Sequence, residues 1–208
     1  MSSPLHEAVK HGHLEASRLL LEHGANPNLK GIRGNTSLHM ACKYKHLHII
    51  DLLHEYGVDP NIHNKSGYAC IHRLRDSCIL SKLLDIGADP NVRELNGGET
   101  ALGWVSSHNN IEMITMLLDR GASVNYPSHN GASPIHQAAW RGSNDAIRLL
   151  VSRGADINGI EPNHNFTALH KAKVNGKHDT IELLISLGAD VTIRSISGRT
   201  YDQMKSRE

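Results

Sequence analysis

An all-α solenoid of stacked helix-turn-helix units is the fold class this 208-residue sequence predicts. Three observations predict it. A four-residue slot recurs at Ser3-Pro4-Leu5-His6, Thr36-Ser37-Leu38-His39, Ala69-Cys70-Ile71-His72, Thr100-Ala101-Leu102-Gly103, Ser133-Pro134-Ile135-His136 and Thr167-Ala168-Leu169-His170, its fourth residues 33, 33, 31, 33 and 34 apart. The helix-ending glycines Gly24, Gly57, Gly87, Gly121, Gly154 and Gly188 keep phase with it. Leu and Ala dominate the periodic positions, which suits close helix–helix contact. A unit this short has too small an apolar face to fold alone, so neighbouring units must bury it.

The unit that reads most clearly runs from Gly131 to Asn158. Ser133 caps a helix, Pro134 sits in its first turn where a missing N–H costs nothing, and Ile135, Ala138 and Ala139 form a small apolar face. A second apolar run ends at Leu150-Val151, and Gly154 lets the chain leave the helix in a left-handed conformation. A 33-residue period carrying the small-Pro-Leu-His slot resembles the ankyrin repeat. The resemblance implies one ankyrin-repeat domain over 1–208, with repeats at about 1–31, 32–64, 65–95, 96–128, 129–162 and 163–195 and a partial cap at 196–208. It also implies β-turn or hairpin-like loops between the units of an ankyrin-repeat solenoid, and a concave face of first helices and loop fingers, with second helices behind.

Taken in order, repeat one places Leu5, Ala8 and Val9 inward, with Leu14 and Leu19-Leu20-Leu21 on its second helix. Repeat two is regular. Repeat three is short: His72 to Gly87 spans 15 residues where the other five repeats have 18. At least one of its helices is therefore short, and a bend or soft point is expected over 73–99. Repeats four to six return to register. The tail from Ile193 begins a seventh first helix and stops, as a polar C-terminal cap with frayed last residues.

Net charge is +1, which gives no global drive toward nucleic acid or membrane. No apolar run approaches the roughly 20 residues that span a bilayer. Cys42, Cys70 and Cys78 have no metal-like spacing and read as packing residues in a reducing compartment. The N-terminus lacks a charged-then-apolar signal peptide, so the glycosylation triplets at Asn35 and Asn165 are not expected to be used. The expectation is a cytoplasmic protein, with the nucleus or, for a microbial effector, the host cytoplasm as alternatives. Of 16 histidines, five fill the fourth slot position, where the resemblance implies a structural hydrogen bond between neighbouring units. His11-Gly12-His13 and His46-Leu47-His48 are spaced i, i+2, which does not present two ligands on one helical face. Cys42 with His39 or His46 makes a conceivable nucleophile–base pair, but Cys42 stands where other units carry small packing residues. No catalytic, cofactor or metal constellation emerges, and no enzyme is expected.

The two faces differ in charge. The first-helix windows hold eight basic residues (Lys10, Lys43, Lys45, Arg73, Arg75, Arg141, Lys171, Lys173) against Glu7 and Asp76, whereas the second helices hold six basic against ten acidic residues. A field of this kind orients an acidic partner. Six of the eight aromatics map to the same side: Tyr44, Tyr68, Trp104, Tyr126, Trp140 and Phe166. Exposed aromatics beside Arg are the material of interface hot spots. Gly103, replacing a slot histidine, is expected to open space beside Trp104. The expected function is a non-enzymatic protein–protein interaction module. Its partner, a protein or extended peptide that is acidic with apolar anchors, would lie in a groove over repeats three to six. The binding residues expected are Lys43, Tyr44, Tyr68, Glu99, Trp104, His108, Tyr126, Trp140, Arg141, Phe166 and Lys171. A monomer without cofactor is expected. The alternatives are a substrate-recognition adaptor of a ubiquitin-ligase-like complex and a host-directed microbial effector. Leu150 through Asn158 resembles the pattern asparaginyl hydroxylases accept in ankyrin repeats, with Asn158 as acceptor.

Overall fold

The computed structural model describes residues 2–205, and these fall into two compact units, Met1–Asn96 and Gly97–Glu208. Among the described residues there are eleven α-helices and two short 3-10 turns. The first unit holds α1 (Pro4–Lys10), α2 (Leu14–Glu22), α3 (Ser37–Tyr44), α4 (Leu47–Glu55) and α5 (Ser77–Asp85). The second holds α6 (Ala101–Ser107), α7 (Ile111–Asp119), α8 (Pro134–Arg141), α9 (Asn144–Ser152), α10 (Ala168–Val174) and α11 (His178–Ser186). In both units short first helices lie in one row and longer second helices in another. α3 packs on α1 in the first unit, and α8 packs on α6 and α10 in the second. α2–α4–α5 and α7–α9–α11 form the rear rows.

The slot builds this stack. Its third residue is buried in every repeat: Leu5, Leu38, Ile71, Leu102, Ile135 and Leu169 are all at most 1% exposed. Each such burial is worth about 1.5–3 kcal/mol against leaving the side chain in water. The residue two beyond the slot histidine lets helices approach, and Ala8, Ala41, Val105, Ala138 and Ala172 are all buried. Pro134 follows the N-cap Ser133 as expected, and Gly154, at φ +88°, ends the second helix of that repeat.

The histidines couple one repeat to the next. In repeat two the backbone N–H of Thr36 donates to His39 Nδ1 (3.2 Å), which makes Nδ1 the acceptor and leaves the proton on Nε2. Nε2–H then donates to the Tyr68 carbonyl, 29 residues on, at 3.0 Å. His6 reaches Asn35 O, His136 reaches Gly159 O and Phe166 O, and His170 reaches Arg199 O in the same way. His72 instead takes the Val92 carbonyl, 20 residues on. Burial pushes His39, His72, His136 and His170 below the ordinary imidazole value, since a charged ring would be desolvated. In the C-terminal cap the Thr200 N–H donates to Gln203 Oε1 at 3.1 Å, so Gln203 stands in for the slot histidine on the turn Tyr201–Gln203. The fraying expected of the last residues concerns 206–208, which lie outside the described residues.

One expectation is made specific and two need correction. In repeat three it is the first helix that the missing residues remove. The chain over 70–73 makes only turns, held by the His72 N–H on the Ala69 carbonyl, while α5 keeps nine residues and an N-cap at Asp76. Cys78 is exposed on α5, and of the three cysteines only Cys42 and Cys70 pack inside. Leu19 is 56% exposed, and of the Leu19-Leu20-Leu21 run only Leu21 is buried.

Candidate interaction surface

In the first unit the first-helix side carries Lys43 and Tyr44 at the end of α3 and Tyr68 in the following loop. Lys43 Nζ lies 5.2 Å from the Tyr44 ring, and the Arg73 guanidinium 4.7 Å from the Tyr68 ring, both within cation–π range. Tyr44 is 39% exposed and stacks on His46 at 6.3 Å. Not every cation expected here is available. Lys45 pairs with Asp76 at 2.8 Å, which raises Lys45 and holds the Asp76 carboxyl below its ordinary value, and Lys10 lies 3.5 Å from Glu7. A cavity of about 250 Å³ opens beside α3, floored by Met40, Cys42, Cys70 and Leu74 and rimmed by Lys43 and Arg73. Cys70 hydrogen-bonds Cys42, and burial pushes its thiol well up, which opposes formation of a thiolate.

The second unit places Trp104, half-buried, on α6, stacked on the exposed His108 with ring centroids 4.0 Å apart. The His108 ring Nδ1 lies 2.8 Å from the Trp104 carbonyl. At Gly103 a Cβ would sit 3.4 Å from Glu99 Cγ and 3.9 Å from Gln137 Cγ, ordinary contact distances, so these two side chains border the place of the missing imidazole. Tyr126 is 38% exposed in its loop, and Arg141 is exposed at the end of α8. Trp140 borders a cavity of about 230 Å³ with Asn130, His136, Gln137 and Lys171. Phe166 stacks on the slot imidazole of His170 at 5.4 Å.

Lys171 differs from what its sequence position implies. Its Nζ lies 2.7 Å from Glu161 Oε2, and the Glu161 side chain is 1% exposed. The ammonium also sits 5.4 Å from the Trp140 ring and 5.7 Å from Phe166. The two carboxylate oxygens lack aligned hydrogen-bond donors, so the 2.7 Å approach is an ion pair between centres removed from water. Lys171 is thus committed to a buried carboxylate, and much of its charge is spent inside the fold. Glu161, ten residues away on the loop before α10, carries no periodic signal in the sequence. Arg33, an exposed loop cation of the first unit, was equally invisible there.

Asn158 lies on the opposite loops. Its side-chain oxygen accepts the Asp190 N–H at 2.8 Å, and Asn28 and Asn125 receive Asp59 and Asp156 in the same way at 2.8 Å. Among the described residues no three His, Cys, Asp or Glu side chains gather as a metal site, and no helix is long and apolar enough to cross a membrane.

Two-helix units clipped together by slot histidines define a helical repeat protein that displays a cationic and aromatic first-helix side. The family description Ankyrin repeats (3 copies) matches residues 1–64 and 67–161, and Ankyrin repeat matches 164–196. The chain belongs to the ankyrin repeat family. It is 37% identical over 87 residues to the B-cell lymphoma 3 protein homolog of Mus musculus, covering 42% of this chain and 19% of that protein. It is 33% identical over 159 residues to the putative ankyrin repeat protein FPV014 of fowlpox virus (strain NVSL), covering 75% of this chain and 29% of that protein. The crystal structure of the ankyrin repeat domain of Bcl-3, a unique member of the IkappaB protein family, superposes with a TM-score of 0.88 at 27% identity, over 100% of this chain and 95% of that one. The chain spans less than a third of the length of the curated relatives it matches.

Proposed function

We propose that the protein is a non-enzymatic interaction module that takes a partner protein or short peptide on its first-helix side. The observation that carries this reading is the concentration of exposed or half-buried aromatic rings beside cations there: Tyr44 with Lys43, Tyr68 with Arg73, and Trp140 near Arg141 and Lys171. A core of Leu, Ile and Ala does not need these rings, and half-buried aromatics next to basic groups are favourable anchors for a bound chain. The rear helices offer acidic surface instead. The ankyrin repeat domain of Bcl-3 lends support as a member of a protein family with the same stack.

A displayed peptide library tests the reading. It is screened against the wild type, against Tyr44→Ala and Trp140→Ala, and against the rear-face variants Glu112→Gln and Arg148→Gln, with a thermal melt on each. Enriched peptides that folded Tyr44→Ala or Trp140→Ala loses, and the rear-face variants keep, support it. Peptides lost only on the rear-face variants reverse it.

A further inference from the structure

We propose that the Met1–Asn96 unit carries a docking site for an extended acidic peptide, with one apolar side chain of that peptide in the cavity beside α3 and its carboxylates at Arg33, Lys43 and Arg73. This rests on the protein-binding reading above and narrows it to one unit and one chemistry.

The cavity follows from the loss of a helix. α3 has α1 on one side, but on the other side the shortened third repeat supplies only the turn over 70–73. Where other repeats bury Ala8, Ala41, Val105, Ala138 or Ala172, repeat three has Leu74, which is only half-buried. Met40, Cys70 and Leu74 therefore form an apolar floor with no helix over it. A second cavity of about 230 Å³ continues along α3, sharing Met40 and Lys43 with the first and adding Lys10, Arg33 and Tyr44. The two together suit an extended chain lying across α3.

The charge of this surface selects the occupant. Of the residues lining both cavities only Glu7 is acidic, and Lys10 already pairs with it. Arg33, Lys43 and Arg73 are exposed, and among the described residues none of them forms an ion pair. The backbone adds an independent observation. Five described non-glycine residues have positive φ; two are Asn109 and Asn165, which tolerate it, and the others are Arg33 (+59°), Lys45 (+60°) and Arg73 (+58°), all in this unit. Lys45 is spent on Asp76, but Arg33 and Arg73 hold a disfavoured conformation with no internal ion pair in return. Strain of this kind gathers at ligand clamps. Carboxylates meeting two guanidinium groups, with tyrosine rings beside them, match this chemistry.

The strain also supplies a clean test. Asn adopts positive φ readily, so Arg33→Asn and Arg73→Asn remove charge without threatening the fold. A 12-residue displayed library is selected on the intact chain. One recovered peptide is then fluorescein-labelled beside a twin with its Asp and Glu replaced by Asn and Gln. Enrichment for acidic residues around one apolar residue is expected. So is at least tenfold weaker binding to Arg33→Asn/Arg73→Asn and to Lys43→Gln, with melting temperatures no lower than wild type and with the rear-face variant Arg148→Gln unaffected. The twin should bind at least tenfold more weakly. Neutral peptides that are lost on Trp140→Ala and kept by Arg33→Asn/Arg73→Asn overturn the proposal while the broader protein-binding reading stands. No enrichment, or binding indifferent to every first-helix variant, overturns both. A single-stranded 20-nucleotide DNA that binds more tightly than any selected peptide, and is released by the same arginine variants, also overturns it by making the face a nucleic-acid surface.

Discussion

Lys171 and Lys43 look equivalent in the sequence, each a basic residue on a first helix, yet they do different work. The Lys171 ammonium pairs with a carboxylate that is 1% exposed, so removing it leaves that buried carboxylate with only the His164 ring, 3.4 Å from its other oxygen. Lys171→Met should cost about 3 kcal/mol, and Glu161→Gln/Lys171→Met should recover most of that loss, as read from urea unfolding. Equal losses in both variants would mean that Lys171 contributes packing alone. Arg33 shows the opposite case, an exposed residue whose own backbone is under strain at φ +59°. Arg33→Asn should raise stability by about 0.5–1 kcal/mol, because Asn meets a smaller penalty in the left-handed region. The slot histidines were legible as structural groups, since the slot repeats them with the period. Their tautomer was not: it depends on which backbone groups the ring meets.

Among the elements, the capped first helices follow directly from Ser or Thr three residues before the slot's fourth position. The loops between repeats add a constraint that the sequence shows only as a recurrent glycine. Gly131 and Gly154 have nearly the same φ, +83° and +88°, but a Cβ on Gly131 would sit 2.2 Å from Pro162 Cδ, whereas one on Gly154 meets nothing within 4 Å. Gly154→Ala should therefore cost about 1–2 kcal/mol from backbone strain alone. Gly131→Ala should cost at least about 1 kcal/mol more, because Pro162 is held in a loop and must shift. Thermal melts of the two variants separate these terms. The third repeat was visible as three missing residues, but not which helix they came from. The full-length α5 kept its N-cap Asp76 and four buried apolar residues, so the loss fell on the segment with less to bury. Amide exchange over 70–76 should be faster than across α8, since the turn there offers few backbone hydrogen bonds.

Across the whole molecule, the same neutral imidazole recurs through both units, and its pH dependence adds up. His39, His72, His136 and His170 are all held below 6.5 by burial, so the unfolded chain binds more protons than the folded one once the pH drops below that value. Their stabilisation is complete above pH 6.5 and is lost as pH falls toward the folded values, at up to about 1.4 kcal/mol per pH unit for each histidine. Urea midpoints at pH 7.5 and 5.5 should differ accordingly. Asp76, held below 3.8 by Lys45, adds its loss only at lower pH. An unchanged midpoint between 7.5 and 5.5 would show that the folded rings bind protons as readily as those of the unfolded chain.

The period, the slot and the terminal glycines determined the fold class, the helix starts and ends, and the buried Leu/Ile layer, because these depend on spacing along one strand of chain. The tertiary structure alone decided which charges are spent: Lys171 on Glu161 and Lys45 on Asp76, while Arg33, Lys43 and Arg73 stay exposed without an ion-pair partner. It alone decided that a deleted helix uncovers the floor beside α3. The physical reason is the same in each case. Periodicity fixes a residue's face on its own helix, but ion pairing, filling and exposure depend on side chains that meet it from ten to more than thirty residues away.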